Sequence, residues 1–176
     1  MSHGINTARR NLFRGLPLSA PAPVRPPGAL SEAQFVDACT RCEDCLNQCP
    51  QGIITKGQGG LPEIDFSSNE CTFCNLCIEV CDSGALSDTT TPPWTLELTL
   101  SDDCLAVKQV VCQSCRDECD QLAITFVPQL GRVATPRIDQ DACTGCGACV
   151  APCPSNALSL HPLDIGQLPN SEVTVV

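Results

Sequence analysis

Aromatic side chains are scarce in this chain of 176 residues, which contains five Phe, one Trp and no Tyr. A chain with so few large apolar side chains buries little core, so it needs cross-links or metal centres to compensate. No apolar run approaches the ~18 residues of a membrane-spanning helix, and we expect no membrane span. The sequence also contains no nucleophile–base set and no phosphate-binding loop, so we do not expect an enzyme.

Acidic side chains are absent from residues 1–30, which hold four arginines. Since these contribute +4 to a total net charge of −10, the rest of the chain carries −14. A surface this acidic disfavours nucleic acid and suits a basic docking face on a protein partner.

The first 30 residues are also rich in proline, which predicts an extended, solvated basic tail. Within it, Ala8–Arg14 looks like a twin-arginine export signal, but prolines break the apolar stretch that should follow. The alternative is a short basic segment, solvated or contacting a partner. The arginines available for that contact are Arg9, Arg10 and Arg14. A short helix capped by Ser31 is expected next.

Cysteine is the residue in excess, with sixteen copies arranged in four runs of the form C-x-x-C-x-x-C-x-x-x-C. The third run departs from this form, because seven residues rather than two separate its first two cysteines. The four runs consist of Cys39, Cys42, Cys45 and Cys49; Cys71, Cys74, Cys77 and Cys81; Cys104, Cys112, Cys115 and Cys119; and Cys143, Cys146, Cys149 and Cys153.

This spacing is typical of the ligands of bacterial [4Fe–4S] ferredoxins, in which the fourth cysteine of a run binds the neighbouring cluster. Disulfides are a weaker interpretation, because no secretory signal peptide is visible and closely spaced triplets suit a shared metal. Zinc sites usually use two separated pairs rather than triplets. We therefore predict four [4Fe–4S] clusters held by all sixteen cysteines.

Two pairings of the runs are open. Sequential pairing joins the first run with the second and the third with the fourth, and short connections favour it. Nested pairing joins the first run with the fourth and the second with the third. One observation favours it: Pro follows Cys49 and Cys153, whereas Asp follows Cys81 and Cys119. In the third run, residues 105–111 are apolar enough to loop out and leave Cys104 as a ligand. The alternative is that Cys104 is not a ligand and that the third site has only three cysteines.

The runs begin 32, 33 and 39 residues apart, which indicates a repeated unit. Each unit is predicted to contain a strand, a cysteine loop, a short helix spanning the fourth cysteine, and a second strand. Glycines predict hairpins at 53–65 and 123–139. The predicted fold is α+β, with two tandem bacterial ferredoxin-like halves that each hold two clusters. The predicted parts are a tail at 1–30, halves at 31–91 and 92–165, and a C-terminal tail at 166–176, with Trp94 packing at the boundary.

The sequence resembles the NapF family, the ferredoxin-type accessory proteins of the periplasmic nitrate reductase system. The resemblance lies in the tail, in all four cysteine runs, and above all in the expanded stretch from Cys104 to Cys112. It also includes Arg25-Pro-Pro27 and Gly57-Gln-Gly-Gly60. It implies a cytoplasmic protein that contacts the nitrate reductase catalytic subunit before export and helps its maturation. The alternatives are a general polyferredoxin electron carrier, or electron-transfer subunit of an anaerobic oxidoreductase, and a structural or storage role for clusters.

Overall fold

The computed structural model describes residues 22–87 and 94–163. All sixteen cysteines lie within these ranges. Outside them lie Arg9, Arg10 and Arg14 and the C-terminal tail, for which predictions were made. The helices are α1 (Glu32–Ala38), α2 (Asp44–Gln48), α3 (Leu76–Glu79) and α4 (Ser114–Asp117), with a 3-10 turn at Gln58–Gly60. The strands are β1 (Ile54–Lys56), β2 (Pro62–Ile64), β3 (Leu96–Leu100), β4 (Ile124–Gln129), β5 (Arg132–Ile138) and β6 (Leu158–Pro162).

These strands form three antiparallel pairs, which confirms an α+β architecture of short elements. The pairs β1–β2 and β4–β5 are the two predicted hairpins, and Ile124 faces Ile138 in the second. The third pair joins β3 to β6, with Leu98 opposite Leu160. Each pair lies within one described range, so we call residues 22–87 the N-terminal segment and residues 94–163 the C-terminal segment.

Helices α2, α3 and α4 are shorter than predicted: each begins one residue before the third cysteine of a run and ends before the fourth. Glu43 and Asn75, which precede α2 and α3, have left-handed backbones with φ of 71° and 61°. Helix α2 ends at Gln48, and Cys49 is already extended. The prediction that the helix spans the fourth cysteine is therefore wrong. In the fourth run, turns at 148–152 replace the helix.

Residues 22–30 pack against the rest of the N-terminal segment, so the prediction of a solvated linker is wrong for this part of the tail. Pro26, Pro27 and Gly28 are buried. The Ile64 N–H donates to the Val24 carbonyl at 2.8 Å. Further along, Ala29 bridges Leu86 in antiparallel fashion. This stretch thus pairs with the residues just after the second cysteine run, as β3 pairs with β6 just after the fourth.

Arg25 anchors residues 22–30, which we call the arm. Its side chain is only 10% exposed and holds the Glu32 carboxylate with two hydrogen bonds of 2.7 and 3.0 Å. A third hydrogen bond of 3.0 Å reaches the Pro62 carbonyl. The guanidinium also lies 5.2 Å from the ring centroid of Phe35, which is fully buried. A cation held over an aromatic ring and bonded to a carboxylate stabilises the packed arm.

We expect Arg25→Ala to lower the free energy of unfolding by about 2–3 kcal/mol, because the charge-assisted hydrogen bonds of a largely buried side chain are lost. Anaerobic denaturant titration measures this change in the free energy of unfolding. The matched control is Arg137→Ala, an exposed arginine on β5 whose loss should cost less than about 0.5 kcal/mol. Equal losses in the two variants would contradict the anchoring role.

The buried side chains form one small cluster that draws on both segments. It includes Phe35, Ile53 and Phe66 from the first and Leu98 and Ile124 from the second. Among the described residues, no polar or charged side chain is buried. None of the helices in the described part of the chain is long and apolar enough to cross a membrane. The core therefore consists of a few apolar side chains gathered around the cysteine loops.

Candidate metal sites

Four cavities in the structure are each lined by four cysteines. Each has a volume of about 20 Å³. We number them by the run that supplies three of the four cysteines. Site 1 contains Cys39, Cys42, Cys45 and Cys81; site 2 contains Cys49, Cys71, Cys74 and Cys77; site 3 contains Cys104, Cys112, Cys115 and Cys153; and site 4 contains Cys119, Cys143, Cys146 and Cys149.

The structure groups the cysteines by sequential rather than nested pairing. Runs one and two exchange their fourth cysteines, so Cys81 lies in site 1 and Cys49 in site 2. Runs three and four do the same with Cys153 and Cys119. The Pro and Asp residues that follow the fourth cysteines do not decide the grouping.

Left-handed residues between the cysteines turn each loop around its cavity. In the first run these are Arg41 and Glu43, with φ of 61° and 71°. In the fourth run they are Gly145 and Gly147, with φ of 73° and 87°. Successive left-handed residues curl the chain tightly, so three side chains separated by two residues each converge on one point. The sequence alone indicated this conformation only where glycine occurs.

The inserted residues of the third run fold back on themselves and bring Cys104 into site 3. The Lys108 N–H donates to the Cys104 carbonyl at 3.0 Å, and the Val110 N–H donates to the Leu105 carbonyl at 2.8 Å. Ala106 is fully buried, and Leu105 lines the same cavity as the cysteines. The seven-residue insertion thus forms a compact turn that leaves four thiols around this cavity.

Burial strongly disfavours the charged form of several of these thiols. Desolvation, aided by neighbouring thiols, raises the pKa of Cys77 and Cys149 to about 12. It also raises the pKa of Cys45 and Cys115 to about 11. At neutral pH the thiolates of these four cysteines need a positive charge beside them, and bound iron would supply it.

Two of the exchanged cysteines receive backbone hydrogen bonds on sulfur. The Leu86 N–H donates to the Cys81 Sγ at 3.3 Å, and the Ala157 N–H donates to the Cys153 Sγ at 3.3 Å. Burial still raises the pKa of Cys153, but hydrogen bonds from Ala157 and Ser155 outweigh it, so its net pKa is lowered. Such donors stabilise a thiolate that binds metal. Sequence patterns did not indicate them, because they depend on backbone geometry.

The donor set fits a polynuclear cluster better than the alternatives. All sixteen cysteines are free, so disulfides are absent. Within the described ranges, no three His, Cys, Asp or Glu side chains are close enough to bind a single metal ion. Four thiols around one cavity match the four corners of a [4Fe–4S] cube. Zinc, which needs four ligands at bonding distance of one atom, does not fit.

Trp94 lies where the two segments meet, as predicted for a boundary residue. Its Nε1 donates to the Thr144 carbonyl at 3.1 Å. Its ring meets those of Phe66 and Phe73 edge-on, with centroids 6.0 and 5.6 Å apart. The predicted partner-binding residues, in the basic tail, lie outside the described part of the chain.

Comparison with known proteins finds two matches to 4Fe-4S domains. Residues 38–85 match the family model described as a 4Fe-4S dicluster domain, and residues 136–159 match a 4Fe-4S binding domain. The chain is 39% identical to the ferredoxin-type protein NapF of Escherichia coli K12 over 159 residues, covering 90% of this chain and 97% of the relative. It is 41% identical to NapF of Haemophilus influenzae over 140 residues, covering 80% of each.

A more distant relative is the methylamine utilization ferredoxin-type protein MauM of Methylobacillus flagellatus. It is 30% identical over 175 residues, covering 88% of this chain and 75% of the relative. These matches and the sixteen cysteines identify a ferredoxin-type iron–sulfur protein with [4Fe–4S] clusters, an electron-transfer protein rather than an enzyme. The chain belongs to the NapF family of ferredoxin-type proteins.

Proposed function

We propose that the protein holds four [4Fe–4S] clusters, one in each site, with all sixteen cysteines as ligands. The single observation that carries this proposal is that four cysteines line each of four separate cavities. The clusters would supply one-electron redox chemistry. The cysteines would hold the iron through their thiolates. The small apolar core around each cavity would limit the access of water.

We also propose that the chain is built from two tandem ferredoxin-like halves, at 31–91 and 92–165. The exchange of fourth cysteines within each segment supports this division, as do the strand pairs, none of which joins the segments in the described ranges. The arm at 22–30 belongs with the first half, because Arg25 and the bridge from Ala29 to Leu86 attach it there.

The role of Cys104 is testable by iron content. We expect about 16 iron atoms per unmodified chain, and about 12 in Cys104→Ala, because site 3 loses a ligand. Iron and sulfide are measured after anaerobic reconstitution. The matched control is Cys112→Ala, which removes another thiol of the same cavity and should give the same loss. Full iron content in Cys104→Ala alone would show that site 3 does not need Cys104.

For cellular role, we propose that the protein assists maturation of the catalytic subunit of a periplasmic nitrate reductase in the cytoplasm before export. Identity of about 40% with two NapF proteins supports this assignment. The charge distribution fits a binding protein, since a basic tail precedes a body of net charge −14. The tail arginines would bind an acidic surface of the precursor, at a strength that falls with salt.

We expect the loaded protein to bind the cytoplasmic precursor of that subunit in an anaerobic pull-down. Replacing Arg9, Arg10 and Arg14 by alanine should weaken binding roughly tenfold, as three exposed charge contacts of about 0.5 kcal/mol each are lost. The control replaces Arg116, Arg132 and Arg137, which are exposed and change the net charge equally. Absence of a complex would contradict the maturation role, and equal binding by both variants would contradict the role of the tail.

For such experiments the tail should be truncated after residue 21. Removing residues 1–30 would also remove Arg25 and the buried Pro26 and Pro27, and would therefore disturb the first half as well as any partner contact.

A general electron carrier is the second candidate. The observation in its favour is the 30% identity to MauM, whose name places it in methylamine utilization. A common cluster framework would then serve different redox systems through different partner contacts. A carrier of this kind would exchange electrons with a redox enzyme and form no complex with the nitrate reductase precursor, so the same pull-down separates the two functions.

A further inference from the structure

Sites within one segment are adjacent because short stretches of chain contribute to both. Cys45 of site 1 lies in helix α2, and Cys49 of site 2 follows the end of that helix, four residues later. Cys77 and Cys81 have the same relation at helix α3. Helices α2 and α3 also pack against each other. Sites 1 and 2 are therefore direct neighbours.

Sites 3 and 4 are linked in the same way. Cys115 of site 3 lies four residues before Cys119 of site 4, and Cys149 of site 4 lies four residues before Cys153 of site 3. Within each segment, then, the two sites form a close pair.

Between the segments, the contact runs from site 2 to site 4. The N–H of Cys71 donates to the carbonyl of Cys146 at 2.8 Å, a hydrogen bond between the backbones of two cysteines in different segments.

Aromatic side chains pack close to this hydrogen bond. Phe66, which is buried, lies against Gly147, the residue after Cys146. Trp94 packs edge-on against Phe66 and donates a hydrogen bond to Thr144 in the same cysteine loop. The two cysteine loops are therefore held together by buried contacts as well as by one hydrogen bond.

We propose that the four sites form one continuous series in the order 1–2–4–3, with the hydrogen bond from Cys71 to Cys146 as the junction between segments. Sites 1 and 3 are then the two ends of the series. This order differs from the order of the runs along the chain, and it places the expanded third run at one end. The proposal rests on the proposed loading of all four sites.

Electron paramagnetic resonance of two matched variants tests the order. Each variant is reconstituted, assayed for about 8 iron atoms per chain, and fully reduced with dithionite. The first keeps sites 2 and 4 through alanine substitution of Cys39, Cys42, Cys104 and Cys112. The second keeps sites 1 and 3 through alanine substitution of Cys71, Cys74, Cys143 and Cys146.

We expect spin–spin splitting or broadening in the variant that keeps sites 2 and 4, and the sum of two isolated spectra in the other. Isolated spectra from sites 2 and 4, or splitting from sites 1 and 3, would overturn the order. If either variant fails to fold or load, an anomalous-scattering map of the loaded unmodified protein decides. The shortest distance between iron clusters of different segments should then join site 2 to site 4, and any other shortest pair overturns the proposal. Iron content below four clusters would instead count against the proposed loading.

Discussion

Removal of iron is expected to unfold most of the chain. The helices have only four to seven residues and the sheets only two strands, so neither holds its shape in water alone. The largest side chains that are almost completely buried are Phe35, Leu98, Ile124 and Pro26. A net stability of roughly 5–15 kcal/mol, usual for a folded domain, cannot come from so small a core. Four clusters, each joining four cysteines from two runs, would supply the missing constraint.

The measurement compares loaded and iron-free protein by far-ultraviolet circular dichroism and by the dispersion of amide proton signals. Iron is removed anaerobically with a chelator and an oxidant, and the thiols are then reduced. The control receives the chelator alone, which should leave clusters and signals intact. Native-like dispersion in the iron-free chain would show that the apolar core suffices, contrary to the expectation.

Gly147→Ala is expected to lower the free energy of unfolding by about 2–5 kcal/mol. Its φ of 87° is unfavourable for any residue with a Cβ, at about 1–2 kcal/mol. In addition, a Cβ there would overlap the ring of Phe66, which is only 7% exposed and has little room to move. Overpacking of this kind adds about 1–3 kcal/mol.

Gly131→Ala separates the two contributions. Gly131 has a similar backbone, with φ of 69°, but no atom lies within 4 Å of the Cβ position. Only the backbone cost of about 1–2 kcal/mol is expected there. Anaerobic denaturant titration of both variants gives the difference. If the two losses are equal, the contact between Gly147 and Phe66 contributes nothing to stability.

Much of the local structure follows from the order of residues alone. The cysteine spacing predicts four thiol-lined loops, and the glycines predict both hairpins. These features are local, because a loop of two or three residues leaves the backbone few conformations. The helix positions were less predictable, since one turn of helix depends on the geometry of the adjoining loop.

Other features depend on which parts of the chain meet in space. The sequence permitted both sequential and nested pairing, and the structure brings the sequential sets together. It also attaches the arm at 22–30 through Arg25, although its prolines suggested a solvated linker. That arm is stabilised by Glu32 and Phe35, whose positions in space are not apparent from proline content.

The sequence by itself thus determined the kind of site, because thiol chemistry and loop length together specify what each run can bind. The tertiary structure decided how the sites are grouped and where the segments touch. The contact from Cys71 to Cys146 uses backbone groups, which every residue type except proline possesses, so no pattern of side chains could indicate it. Its position results from the packing of Phe66 and Trp94 against the fourth cysteine loop.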